Sequence, residues 1–208
     1  MNEGKLNRYS LEQAENEADR METKLKFGKA NSYQQAEEQV RIDIKERIKE
    51  NLIKPATDEK RADYFFTSKN TINYAEATSL SQDLIEEIHL ARITYMLHKL
   101  KAAYSDYIKD PSETKKDILC RMVAGHDLNE VYFTTQKSHE YKDVAEAFLE
   151  CGAWRDASFG TDETNGSNQH ILAIEELLNK YSTDERFNID PFELKLDIAK
   201  KLSDLAKS

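Results

Sequence analysis

Histidine and aspartate residues, whose side chains can bind a metal ion, occur close to other polar residues at two places along the chain. His89 and Arg92 are three residues apart, so they share one face of any helix that contains them. His126 and Asp127 are adjacent in a later segment. Imidazole and carboxylate groups bind a divalent cation, which activates a water molecule against a phosphate ester. His89, His126 and Asp127 carry side chains of these two kinds.

These residues resemble the opening of HD-type metal phosphohydrolases, in which His-x-x-Arg on one helix precedes His-Asp at the end of another. The resemblance implies that His89, His126 and Asp127 are the candidate metal ligands. It also implies a further aspartate ligand, for which Asp190 and Asp197 lie at suitable positions. The sequence departs from the family after the His-Asp pair, where Asn129 and Glu130 replace the usual Gly-Lys. A metal-dependent phosphohydrolase is accordingly the alternative function.

A structural interpretation of the same residues stays open, with His89 half-buried on its helix and the His-Asp pair forming the turn after Gly125. No G-x-S-x-G, Walker-type or G-x-G-x-x-G motif occurs in the sequence. Cys120 and Cys151 are expected on apolar helix faces, where burial suppresses the reactivity of a thiol. The sequence therefore assigns no catalytic residue and no cofactor, and it favours a non-enzymatic function.

The candidate binding residues are Trp154, Arg155 and Phe159, which lie just before the polar segment 160–167. Tryptophan and arginine are enriched in protein interfaces, and loops carry function more often than helix interiors. The alternative is that the two aromatic residues only cover the core where helices turn back. The first interpretation predicts a protein-binding patch beside a loop at 160–167.

Helices must position all of these residues, because the chain has only six Gly and three Pro in 208 residues and lacks the frequent turns of an all-β protein. Apolar spacing predicts a hairpin of helices at about 10–27 and 32–52, the second ended by Pro55, and a long central helix at about 81–107. Asp-Pro pairs at 110–111 and 190–191 predict the starts of two later helices, ending near 124 and 206. Further helices are expected at about 138–151 and 167–181, with a short helix and a loop between 56 and 79. The predicted fold is an all-α, irregular helical bundle.

Two regions are predicted within this bundle, although they are also compatible with one continuous domain. Residues 1–110 form the N-terminal helical region with the long central helix, and residues 111–208 form the C-terminal helical region. The division falls near the Asp-Pro pair at 110–111, because the helices before it are long and those after it are short.

Three segments of the C-terminal half are similar to one another, and in the first two an acidic residue precedes two apolar groups, a second apolar pair follows and a glycine ends the helix. They begin at Asp117, Asp143 and Ile171, and the two glycines are Gly125 and Gly152. Residues 113–181 therefore resemble degenerate ankyrin repeats, which implies short helices stacked like a solenoid. The two glycines are 27 residues apart, compared with an ankyrin period of about 33. Solenoid-like stacking and an irregular bundle both remain open.

The net charge and the hydropathy of the chain limit the kinds of partner that we expect it to bind. The formal net charge of -9 disfavours nucleic acid, because an acidic surface repels phosphate. No apolar run reaches the roughly 18–20 residues of a membrane span, and no signal-peptide core is present at the N-terminus. We therefore expect a cytoplasmic protein, or an effector delivered into another cell without a classical signal peptide. Its expected partner is another protein, and the N-terminal helix pair is also compatible with a homodimer.

Overall fold

The computed structural model describes residues 33–124, 126–158 and 163–207, together with Arg20, and helix is the only regular secondary structure in these ranges. The all-α prediction is therefore confirmed. The helices are α1 (Tyr33–Ile48), α2 (Lys54–Thr57), α3 (Ala62–Thr67), α4 (Lys69–Ala77), α5 (Gln82–Lys109), α6 (Glu113–Ala124), α7 (His126–Thr135), α8 (Lys142–Ser158), α9 (Glu163–Tyr181) and α10 (Pro191–Lys207). The first helix of the predicted hairpin, at 10–27, lies outside the described residues except for Arg20.

Helix α5 is the centre of the bundle, as the sequence predicts. It begins after Ser81, whose hydroxyl accepts a hydrogen bond from the backbone N–H of Leu84 at 3.4 Å. All seven residues from 91 to 97 are buried. Seven consecutive positions point in every direction around a helix axis, so this part of α5 is enclosed by other helices, including α6, α7 and α10.

The structure corrects the prediction that Pro55 ends the second helix. A π-helical segment, Lys49–Ile53, follows α1 directly and leads into α2, which contains Pro55. In this wide turn the N–H of Lys54 donates to the carbonyl of Lys49, five residues earlier. Proline lacks an N–H group and its ring clashes with the preceding turn of an α-helix, whereas the wider turn removes that conflict.

The two Asp-Pro pairs behave differently. Asp190 caps α10 as predicted, because its carboxylate accepts from the N–H of Phe192 at 2.9 Å. Asp110 instead closes α5, since its own N–H donates to the carbonyl of Asp106 at 3.3 Å. The N-terminus of α6 is capped by Ser112, whose hydroxyl accepts from the N–H of Lys115 at 3.3 Å. Helix α6 therefore begins two residues later than the Asp-Pro signal indicates.

Three boundaries in the C-terminal half also differ from the predictions. Helix α7 begins at His126, where the sequence indicates a turn; α8 continues past Gly152; and α9 begins at Glu163, inside the predicted loop 160–167. A glycine within a helix costs only about 1 kcal/mol relative to alanine. Packing of the buried Phe148 and Cys151 on α8 offsets a cost of that size. The solenoid-like, ankyrin-type arrangement is not confirmed.

A cluster of buried apolar side chains runs through the bundle from Ile48 to Leu202. It contains two stacked aromatic pairs, Phe66 on Tyr95 with ring centroids 4.1 Å apart and Tyr132 on Phe148 at 4.3 Å. The cluster includes residues on both sides of position 110, and the division into 1–110 and 111–208 stays a prediction. In the described ranges, none of the helices combines the length and apolarity that a membrane span requires.

Candidate functional site

Most of the residues that the sequence singles out have side chains outside the described part of the chain. The backbones of His126 and Asp127 form the start of α7, and those of Trp154 and Arg155 lie within α8. Phe159 lies outside the described residues altogether. The metal-binding and protein-binding interpretations of these five residues therefore stay predictions.

His89 lies on the buried face of α5 and is only 1% exposed. Burial, followed by the neighbouring charge of Arg92, lowers the pKa of His89 to about 3, so the imidazole is neutral at physiological pH. Its Nδ1 has no hydrogen-bond partner among the described residues. Within this same part of the structure, no group of three or more His, Cys, Asp or Glu side chains is placed to hold a metal ion.

Arg92, one turn further along α5, is fully buried at 0% exposure. Its Nε donates to the carbonyl of Phe66 at 2.9 Å, and its Nη2 donates to those of Thr67 at 3.4 Å and Ser68 at 3.0 Å. Its Nη1 donates to Oγ1 of Thr134 at 2.7 Å. These carbonyls are the acceptors left open at the C-terminal end of α3. Arg92 therefore joins α3, α5 and α7, and its donors point into the protein.

Glu86, one turn before His89, is also buried. Its carboxylate accepts from the hydroxyl of Ser138, from the N–H of His139 at 3.1 Å and from Nε2 of Gln82 at 2.9 Å. Burial by itself raises the pKa of Glu86, but these hydrogen bonds together lower it below the ordinary value of 4.5. Glu86, His89 and Arg92 thus form a buried polar row along α5. Within this row, Arg92 holds α3 and α7, and Glu86 holds the segment before α8.

Replacing Glu86 with glutamine is expected to destabilise the chain by about 1.5–3 kcal/mol at neutral pH, the contribution of hydrogen bonds to a charged group. A carboxylate whose pKa is lowered by folding stabilises the protein above its unfolded pKa. This stabilisation is lost as the pH falls through the lowered pKa. The difference between wild type and Glu86→Gln should therefore shrink below pH 4.5 in urea titrations. The exposed Glu113→Gln serves as the control, and a difference that is constant with pH would contradict the assignment.

A surface groove lies between the start of α5 and the end of α10, with a volume of about 480 Å³. It is open to solvent rather than enclosed. Its lining residues are Ser81, Asp83, Leu84, Glu87, Lys201, Asp204 and Leu205. Leu205 is 48% exposed whereas Leu84 is only 5% exposed, so the apolar surface that a partner can reach in the groove comes mainly from Leu205. Three carboxylates and one ammonium group surround it.

One ion pair crosses the groove and links its two helices. Nζ of Lys201 on α10 lies 2.5 Å from Oε1 of Glu87 on α5. The other oxygen of Glu87, Oε2, is buried and has no hydrogen-bond partner in the described structure. Asp204 lies 3.5 Å from Nζ of Lys207, but both side chains are largely exposed, and such pairs contribute little to stability. The lining therefore carries a net negative charge even after the Glu87–Lys201 pair is formed.

Helix α10 exposes a second apolar feature on its opposite flank. Ile189, which precedes α10, and Phe192 and Leu196 on α10 are each about half exposed. The four-residue spacing of Phe192 and Leu196 places these two side chains in one row on the helix. Phe192 packs edge-on against Phe66, with ring centroids 5.5 Å apart. Both Glu193 and Lys200 border the row, so its charge does not favour one kind of partner.

Sequence reasoning missed the groove because its two sides are distant along the chain. Glu87 and Lys201 are 114 positions apart, and only the packing of α10 on α5 brings them together. The sequence contains one weak local signal for the groove. Asp83 and Glu87 are four residues apart, which predicts two carboxylates on one helix face. Nothing in either segment indicates which helix lies opposite.

No family model, no characterised protein and no solved structure matches the chain. Its function therefore has to follow from the geometry of its own residues. The polar row on α5 is buried, and the side chains of Glu86 and Arg92 in it form their hydrogen bonds within the bundle. The groove between α5 and α10 is open, has an apolar surface and carries charge of one predominant sign, which makes it the candidate functional site.

Proposed function

We propose that the chain is a helical protein-interaction module that binds a basic, amphipathic segment of another protein in the α5–α10 groove. The observation that carries the proposal is the combination of an apolar surface, supplied mainly by Leu205, with the carboxylates of Asp83, Glu87 and Asp204. A segment with a leucine-sized side chain flanked by lysine or arginine complements both features. This is the helix-in-groove type of recognition that short amphipathic segments use.

Charge supports a different protein, rather than a second copy, as the partner. Two copies that met through this groove would bring carboxylates against carboxylates, and like charges in an interface are unfavourable. The whole chain has a formal net charge of -9, which attracts a basic partner over a distance of about 8–10 Å at physiological salt. We therefore expect association that becomes faster at low salt and slower at high salt.

The size of the groove sets the expected affinity. Burying one leucine-sized side chain contributes about 1.5–3 kcal/mol, and an exposed ion pair contributes about 0.2–1 kcal/mol. The groove accommodates only a few such side chains, so we expect a dissociation constant at or above about 10 µM. Weak binding of this kind suits an adaptor that exchanges partners or holds a larger partner through several contacts.

Fluorescence anisotropy with designed peptides tests the proposal. The probe is a labelled helix-forming peptide of leucine and lysine, and the comparison peptide replaces every lysine with glutamate. We expect the lysine peptide to bind, the glutamate peptide not to bind, and high salt to weaken the complex. The double variant Asp83→Lys, Asp204→Lys should bind the lysine peptide at least about tenfold more weakly, since it reverses the charge of the groove.

The matched control is the double variant Asp106→Lys, Asp110→Lys at the far end of α5. These carboxylates are exposed, and their replacement changes the net charge by the same amount. We expect the control to weaken binding by no more than about twofold, because distant exposed charges are screened. Equal losses of affinity in the two double variants would mean that the peptide binds acidic surface anywhere on the protein rather than in the groove. Absence of binding by wild type would refute the proposal.

A further inference from the structure

Lys201 lines the groove and forms an ion pair with Glu87 on the opposite helix. Its side chain begins on α10, and its ammonium group lies 2.5 Å from Oε1 of Glu87 on α5. Among the described residues that line the groove, it is the only cationic one. Its side chain is 54% exposed and that of Glu87 is 30% exposed. The pair is therefore accessible to a molecule that enters the groove.

We infer that Lys201 is an intramolecular competitor, whose ammonium group takes the position at Glu87 that a cationic group of the partner would otherwise occupy. This inference rests on the function proposed above. It assigns to the groove an autoinhibitory contact, in which the chain supplies its own lysine in place of the partner's.

The geometry at Glu87 carries the inference. Oε2 of Glu87 is buried and has no partner within the described residues, whereas Oε1 is bound by Lys201. An incoming lysine or arginine must therefore displace Lys201 or use only Asp83 and Asp204. Displacement is feasible because an exposed ion pair on a long, flexible side chain is held weakly.

Competition of this kind lowers the affinity of every cationic ligand that uses Glu87, because each ligand must first displace Lys201. A partner segment that also contacts Leu205 has additional binding energy with which to displace Lys201. A small cation has only its charge, and so it competes with Lys201 without that advantage. The groove should thus discriminate in favour of segments that are both basic and apolar.

The experiment compares Lys201→Gln with Lys200→Gln, using the labelled leucine–lysine peptide and full-length protein. Lys200 is exposed and does not line the groove. Both variants remove one positive charge, so any general electrostatic effect is the same for the two. We expect Lys201→Gln to raise the affinity about threefold to tenfold, while Lys200→Gln changes it by less than about twofold.

A second measurement in wild type follows the side-chain ammonium resonance of Lys201 by NMR as peptide is added. Release from Glu87 should shift this resonance in proportion to the bound fraction. If the peptide binds wild type but Lys201→Gln leaves the affinity unchanged or lowers it, Lys201 is not a competitor, and the proposed function stands without it. If the peptide binds neither wild type nor Lys201→Gln, the inference and the proposed function both fail.

Discussion

Replacement of Arg92 by methionine is expected to lower the free energy of unfolding by at least about 3 kcal/mol. Methionine has a similar length and fills much of the same space, but it donates no hydrogen bonds. The carbonyls of Phe66, Thr67 and Ser68 and the hydroxyl of Thr134 would lose their shared donor. Arg92 is fully buried, so water cannot take the place of the guanidinium.

Urea denaturation at neutral pH measures this loss, with Arg121→Met as the matched control. Arg121 is also helical and also forms an ion pair, at 2.8 Å with Asp117, but its side chain is 73% exposed. We expect Arg121→Met to change stability by no more than about 0.5 kcal/mol. Similar small effects for both variants would mean that the carbonyls at the end of α3 find other donors.

Truncation of Phe148 to alanine is expected to cost about 3–5 kcal/mol, the usual range for removal of a buried phenylalanine ring. Phe148 is 0% exposed, and its ring stacks on that of Tyr132 with centroids 4.3 Å apart. The variant leaves a cavity between α7 and α8 and removes the aromatic contact. Urea or thermal denaturation monitored by circular dichroism would show the loss.

Phe133→Ala provides the matched control, because the substitution is the same and the residue lies on α7 next to Tyr132. Phe133 is 61% exposed, so its removal should cost less than about 1 kcal/mol. Equal destabilisation by the two variants would mean that α7 turns a different face to the core. A rotation of α7 about its axis would exchange the buried and exposed faces of that helix.

Local sequence signals are sufficient for the elements whose caps and apolar spacing agree. Ser81 and the apolar residues after it indicate α5, and Asp190 with Pro191 indicates α10; both are confirmed. The signals fail where a glycine indicates a helix end. Gly152 is inside α8, and the preceding residues Phe148 and Cys151 on that helix are buried by packing that a single sequence does not reveal.

The candidate site is less predictable than the fold. The sequence singles out His89 and Arg92, but it does not show that Arg92 binds three backbone carbonyls at the end of α3. Those carbonyls belong to residues that lie 24, 25 and 26 positions before Arg92 in the chain. Every residue type has a backbone carbonyl, so the sequence does not mark these three positions. The groove forms only because α10 packs against α5. The charge pattern of either helix alone does not predict that the two helices pack together.

The π-helical segment before Pro55 has a consequence for how this region can change in evolution. A π turn contains one residue more than the α-helical turn it replaces, so loss of one residue from Lys49–Ile53 would restore an ordinary helix with little rotation of α2. The ring of Pro55 would then meet the carbonyl four residues before it. The extra residue of the π-helical segment and the proline after it are therefore coupled. Homologous chains that lack the extra residue should also lack the proline, and both should be gained or lost together.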